Sequence, residues 1–275
     1  MIKINNLFFN YGSADFLFKN INLNFEKGNI YGIVGENGSG KTTLLNILSG
    51  LIVNYKGEVE IDSVSSKKRN ESYLKNFFYI PENMFDFDMR IRDFVTLGKS
   101  YQNFDENKFK KIISKTDIKM SDKFSKLSKG WKKRVYIYFG LSVNTDILLL
   151  DEVSEGIDIV AQKELIKYLL EYFDDDKIII LSSHHIEEFD RIIDSFIVVK
   201  DGGIVLNEKK DNIQSNYGIV EEEYKESIKE SDIIKSDDFM GKKYYIIKNR
   251  GDYDNIDISN IEIKDFLELI IKKEV

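Results

Sequence analysis

The stretch Gly35-Glu36-Asn37-Gly38-Ser39-Gly40-Lys41-Thr42-Thr43 has the residue types and spacing to hold phosphate. A nucleotide's phosphates carry several negative charges, so a chain must wrap them with backbone N–H donors. Glycine lets the backbone approach that closely with the dihedrals required. A helix opening at Lys41 would add the partial positive charge of its N-terminus. In G-x-x-x-x-G-K-[ST] the lysine, here Lys41, reaches the β- and γ-phosphates and the hydroxyl of Thr42 can ligate Mg²⁺. The bland alternative is a glycine turn ahead of an ordinary helix. The flanks argue against it: residues 30–34 have the length and branching of a buried strand, and Leu44, Leu45, Ile47 and Leu48 fall at helical spacing as far as Gly50, a helix stop.

The remaining elements are those that would position this loop. Strands are expected at 2–9 and 20–26, joined by a polar loop containing Tyr11, and again at 58–61 and 77–80, where Pro81 is the only proline. From about 88 to 125 the pattern turns helical and reads as a small insertion. Another helix opens at Leu127-Ser128-Lys129-Gly130-Trp131, with Val135, Tyr138, Phe139 and Ser142 on one face and Lys132, Lys133 and Arg134 near its start. Ile147–Leu150 is a fully apolar strand ending in Asp151-Glu152, and a helix over about 158–173 follows it. The next buried strand, 177–181, ends in Ser182-Ser183-His184-His185; a helix at 186–192 and strands at 195–200 and 204–206 complete the series. Alternating strands and helices imply a mainly parallel sheet with right-handed crossovers, whose ligands gather at the carboxyl ends of the strands. The glycine loop, Asp151-Glu152 and His184 each sit just after a strand, which points to one active site. After about Lys210 the texture changes. Residues 211–275 read as a small α+β appendage with a strand at 244–247, a closing helix over Ile263–Ile271 and no chemical motif.

Composition narrows the class. At 275 residues with 42% hydrophobic content the chain can bury a substantial core. It has no cysteine, so there is neither a disulfide nor a thiolate metal site. A net charge of −7 argues against a general nucleic-acid binder. No apolar run approaches the roughly 18–20 residues needed to span a bilayer, and Met1 to Asn5 lacks the apolar core of a signal peptide. The expectation is a soluble cytoplasmic protein whose membrane role, if any, comes through a partner.

Taken together, several motifs resemble those of the ATP-binding subunits of ABC transporters, over about residues 1–206. Gly35–Thr42 matches Walker A, Ile147–Asp151 matches Walker B, and Glu152 follows as in that family. Leu127-Ser128-Lys129-Gly130 resembles the signature motif, 154–158 the D-loop, and Ser183-His184 the switch histidine. Tyr11 stands where an aromatic stacks on adenine, and Pro81-Glu82 where the Q-loop falls. The resemblance implies an α/β fold. Its P-loop NTPase core has a mainly parallel sheet, with an N-terminal antiparallel β subdomain, an inserted helical subdomain at about 83–130 and the appendage. ATP would be bound by Tyr11, Gly35, Asn37, Gly38, Ser39, Gly40, Lys41, Thr42, Thr43, Glu82, Ser128, Gly130 and Asp158, with Ser128 and Gly130 acting on nucleotide held by a second ATPase subunit, identical or not. Mg²⁺ would be held by Thr42, Asp151 and Glu82, hard oxygen donors. Glu152 would orient or deprotonate the attacking water, and His184, with His185 as its neighbour and competitor, would sense the γ-phosphate.

The departures are specific. Lys129 replaces the usual glycine, Trp131 the usual glutamine, Glu82 the Q-loop glutamine, and Val153 and Ile159 the prolines flanking the D-loop. The signature and Pro-Glu variants are similar to the branch exporting drugs, bacitracin-like antibiotics or antimicrobial peptides. The expected function is ATP hydrolysis driving a separate transmembrane permease, peripherally on the inner face of the membrane, with residues 1–210 as the ATPase domain. The competing reading is a soluble ATPase acting on ribosomes or DNA; a single P-loop and no long coiled-coil insertion disfavour it.

Overall fold

The computed structural model describes residues 1–12, 17–84, 86–183, 189–239, 242–253 and 255–271. The first elements are strands β1 (Ile2–Phe9), β2 (Phe18–Phe25) and β3 (Asn29–Val34), helix α1 (Lys41–Leu48), and strands β4 (Lys56–Ile61) and β5 (Val64–Ser65). Then come α2 (Glu71–Leu74), β6 (Phe77–Ile80), α3 (Ile91–Gly98), α4 (Glu106–Ile113), α5 (Lys129–Val143), β7 (Ile147–Leu150), α6 (Ile159–Tyr172) and β8 (Ile178–Ser182). The chain continues through β9 (Ser195–Lys200), β10 (Gly203–Lys209), α7 (Lys210–Asn216), β11 (Gly218–Glu221), β12 (Ile233–Phe239), β13 (Lys242–Ile247) and α8 (Ile263–Ile271).

The central sheet has strand order β10-β9-β3-β8-β7-β6. Its strands pair in parallel from β9 to β6, with only β10 antiparallel at one edge. These strands are apolar on both faces because both faces are covered. Alternate residues sort cleanly: Leu148, Leu150, Ile179, Leu181, Phe196 and Val198 enter one core with α5 and α6. Their neighbours Ile147, Leu149, Ile178, Ile180, Ile197 and Val199 enter the other, with α1 and the antiparallel sheet β2-β1-β4-β5. That period-two division explains why unbroken Ile/Leu/Val runs appear at 147–150 and 178–181.

The helical region expected between β6 and β7 is built around Phe139 of α5. Its ring lies 5.3 Å from that of Phe94, 5.6 Å from Phe78 and Phe104, and 6.0 Å from Phe109. α3, α4 and α5 thus close on a shared aromatic cluster, and its contact with Phe78 of β6 fixes α5 against the sheet.

The appendage forms a three-stranded antiparallel sheet, β11-β13-β12, with a small core of Val220, Ile228, Tyr245, Ile247 and Tyr253. Its other side joins the main core through Ile246 and through Ile263, Phe266 and Leu267 of α8. The last carbonyls of α8 accept from lysines: Leu269 O from Lys235 Nζ at 2.7 Å and Ile270 O from Lys200 Nζ at 3.2 Å. The expected strand and closing helix are present, with β11 and β12 in addition. Of the helix expected at 186–192, residues 186–188 lie outside the described residues, and Asp190–Ile192 is a 3₁₀ turn.

Replacing Phe139 by alanine should destabilise the protein by about 3–5 kcal/mol, because its site is walled by rings from α3, α4, β6 and the connection before α4 and cannot collapse. Denaturant unfolding checks this; a change below about 1 kcal/mol would contradict the assigned packing.

Candidate active site

The loop between β3 and α1 is shaped by contacts that only glycine permits. A Cβ at Gly35 would lie 2.4 Å from the Val199 carbonyl of β9, and Gly40 adopts φ +108° with Phe18 packed where a Cβ would sit. Inside the loop, the Ser39 hydroxyl oxygen is buried without a hydrogen-bond partner. A phosphate oxygen is the chemistry that would satisfy it.

Lys41 is 5% exposed and its ammonium faces inward. It donates to the carbonyls of Gly35 at 2.9 Å and Glu36 at 3.3 Å, and lies 3.5 Å from Glu152 Oε1. Around it is a cavity of about 670 Å³ lined by Tyr11, Asn37, Gly38, Gly40, Thr42, Thr43, Glu82, Glu152 and Glu155. The Tyr11 ring is 57% exposed, which excludes a core role; its hydroxyl lies 3.1 Å from Thr43 Oγ1 and its edge packs on Phe9.

Glu152 lines the same cavity, and Asp151, just before it, lines the groove that shares Thr42 and Glu82 with that cavity. Asp151 is fully buried at the carboxyl end of β7. Its Oδ1 accepts from Ser182 Oγ at 2.6 Å and its Oδ2 from the Tyr79 hydroxyl at 3.4 Å. That hydroxyl is pushed well above its ordinary range by burial and then by the adjacent Asp151 charge, so it stays protonated and donating. Glu152 turns the chain with φ +44°, and its N–H donates to Ser182 Oγ at 3.0 Å. One serine thus orients both acids.

Thr42, Glu82 and Asp151 line one groove, so the oxygen donors expected to hold Mg²⁺ are brought together. Among the described residues no cluster of three or more His, Cys, Asp or Glu forms a ready-made metal cage. This donor set suits an ion that takes its remaining oxygens from nucleotide phosphates and water. Glu82 has its carboxyl pKa raised, by burial first and then by the charges of Glu155, Asp151 and Glu152. Glu155 is held low, chiefly by its hydrogen bond from Lys129. A proton at this pair therefore resides on Glu82.

Ser128 and Gly130 do not line this cavity. Ser128 caps α5, its Oγ accepting from the Trp131 N–H at 3.3 Å. Gly130 backs onto the 154–158 turn, where a Cβ would lie 2.3 Å from the Gly156 carbonyl. Trp131 packs on the core with the Arg134 guanidinium 4.0 Å from its ring centre. Asp158 caps α6, accepting from the N–H groups of Val160 and Ala161, which holds its carboxyl below the usual range. His184 lies outside the described residues.

Sequence reasoning passed over Tyr79, Ser182, Glu155 and Lys133. Lys133 is 1% exposed and donates to the carbonyls of Asp151, at 3.1 Å, and Glu152. Burial lowers its pKa to about 8 against the opposing pull of the nearby acids. Its signal lay in helical spacing: Lys133 shares the buried face of Ile137 and Gly140.

A glycine loop at a helix start, with a buried acid pair at the end of a strand two positions away in a parallel sheet, defines a P-loop ATPase. Family comparison is more specific. The ABC transporter family model matches residues 18–155, half of the chain. The energy-coupling factor transporter ATP-binding protein EcfA1 of Mesomycoplasma hyopneumoniae (strain 7448) is 31% identical over 80% of this chain and 85% of its own length. The lantibiotic transport ATP-binding protein SrtF of Streptococcus pyogenes is 27% identical over 78% and 93%. A dimeric ATP-binding cassette solved in a post-hydrolysis state with ADP and phosphate superposes with a TM-score of 0.66 at 24% identity, covering 76% of this chain and 98% of that one. The chain belongs to the ABC transporter family. It is an ATP-binding, ATP-hydrolysing subunit of an ABC transporter.

Replacing Lys41 by alanine should weaken ATP binding at least tenfold, about 1.4 kcal/mol or more, by removing the buried cation. Calorimetric titration checks this; unchanged affinity would contradict the placement of phosphate beside Lys41.

Proposed function

We propose that this chain binds ATP with Mg²⁺ in the cavity around Lys41, pairs with a second ATPase subunit, and uses the cycle of closing and opening to drive a separate transmembrane permease. The observation that carries this reading is the convergence of Lys41, Thr42, Asp151 and Glu152 at the carboxyl ends of β3 and β7. In this reading the loop amides and Lys41 hold the β- and γ-phosphates, and Thr42, Asp151 and Glu82 hold the metal, which polarises the γ-phosphoryl group. Glu152 orients the attacking water and takes its proton. Tyr11 stacks on the base, and His184 contacts the γ-phosphate.

Ser128 and Gly130 serve the partner's nucleotide. The support is their position: Ser128 caps an exposed helix start and does not line the cavity of its own chain, and a helix start attracts phosphate. Residues 1–210 form the ATPase unit, with the helical subdomain at about 83–130, and 211–275 the appendage. No helix among the described residues is long and apolar enough to cross a membrane, so attachment runs through the permease. A groove opening beside Glu82 and Asp151, with Leu51, Met84, Phe87 and Tyr136 on its walls, gives such a partner an apolar surface next to the acids.

We infer export of a drug, antibiotic or antimicrobial peptide. The Leu-Ser-Lys-Gly signature and the lantibiotic transport relative support that direction over the import suggested by the energy-coupling factor relative. Co-purification from detergent-solubilised membranes identifies the permease; an importer-type partner would reverse the direction.

Replacing Glu152 by glutamine should keep ATP affinity, lower steady-state hydrolysis about 10²–10⁴-fold and accumulate an ATP-bound dimer, because binding survives while the base is lost. Size-exclusion chromatography with ATP and phosphate release read both. A monomer releasing phosphate at the wild-type rate would refute the assignment.

A further inference from the structure

We propose that Lys133 is a positioning residue for hydrolysis: its buried ammonium fixes the backbone of the Asp151-Glu152 turn and ties it to the helix whose start carries Ser128 and Gly130. The proposal rests on Glu152 being the group that activates water.

Successive carbonyls of an extended strand point to opposite sides. The left-handed conformation of Glu152, φ +44°, breaks that alternation, and the carbonyls of Asp151 and Glu152 both accept from Lys133 Nζ. On the opposite side of the turn the Glu152 N–H donates to Ser182 Oγ. The catalytic turn is therefore gripped from two directions, by β8 through its N–H and by α5 through its carbonyls. An unfavourable backbone conformation persists only where its surroundings over-determine it.

Two further contacts join the same segments. Lys129 Nζ lies 2.7 Å from Glu155 Oε1, and the backbone of Gly130 approaches the Gly156 carbonyl too closely for any side chain. The first turns of α5 and residues 151–156 thus form one mechanical unit. A ligand that pulls on the start of α5 displaces the carbonyl grip on Glu152, and with it the carboxylate that stands 3.5 Å from Lys41. A methionine would fill the space of Lys133 at lower desolvation cost. The ammonium contributes the donors that methionine lacks.

The test measures ATP Kd by calorimetry and kcat by phosphate release on the full chain, for wild type, Lys133→Met and Lys133→Gln. Lys133→Met should leave Kd within about threefold and lower kcat by at least about tenfold, the split expected when an interaction matters in the transition state and not for binding. Lys133→Gln, whose amide offers one N–H to each carbonyl, should recover kcat to within about threefold of wild type. Wild-type kcat in Lys133→Met would overturn the proposal. So would a Kd that rises in step with the loss of kcat, or a folded Lys133→Gln as slow as Lys133→Met. If Lys133→Met fails to fold, Lys133→Ala takes its place under the same criteria. Undiminished hydrolysis in Glu152→Gln would overturn the proposal by removing its base, and so marks failure of the underlying reading and not of the lysine grip.

Discussion

A lysine ammonium and a glutamate carboxylate, each almost wholly withdrawn from water, face one another at 3.5 Å across the carboxyl ends of two strands that are not neighbours. β8 runs between them. Removing two charges from water is costly, and an ion pair alone repays that only with good geometry and further hydrogen bonds. Lys41 has two carbonyl acceptors from its own loop, and Glu152 has its backbone fixed by Ser182 and Lys133. The pair thus spans the space where a γ-phosphoryl group and an attacking water would meet. In the proposed reading, a nucleotide entering there would exchange the carbonyl partners of Lys41 for phosphate oxygens.

Everything else in the core keeps those two side chains in place. The parallel sheet is covered on both faces, so its strands end together and deliver the loop after β3, the acids after β7 and Ser182 of β8 to one rim. The aromatic cluster around Phe139 anchors α5, and α5 in turn holds the carbonyl side of the Glu152 turn. The same helix presents Ser128 at its exposed start. In the proposed reading, one element therefore touches the acid assigned to hydrolysis in its own chain and would offer a phosphate-binding end to another, a physical route by which two sites could sense each other.

Much of this was legible in the sequence because it depends on local spacing. The glycine loop, the apolar strand before Asp151, the serine cap of α5 and the α8 span each follow from neighbours a few residues apart. What escaped depends on distant packing. Lys133 stands in a Lys-Lys-Arg run near a helix start, and only the approach of the Asp151-Glu152 carbonyls gives its ammonium a buried role. Glu155 and Tyr79 join the site through the fold, and Ser182 looks like an ordinary strand end. β12, Ile-Ile-Lys-Ser-Asp-Asp-Phe, is too polar to announce itself, since it is an edge strand paired only with β13. Asp158 was expected among the nucleotide-binding residues, and within this chain it caps α6.

The central claim is that each working site takes its P-loop from one chain and its helix start from another. The most direct measurement mixes two variants, Lys41→Ala, with a broken P-loop, and Ser128→Arg, with an obstructed helix start, and follows phosphate release. Each alone should be inactive. Mixed, they should regain hydrolysis, because a heterodimer contains one site with an intact Lys41 facing an intact Ser128. A mixture as inactive as its components, or a Ser128→Arg protein that hydrolyses ATP at the wild-type rate by itself, would contradict the account.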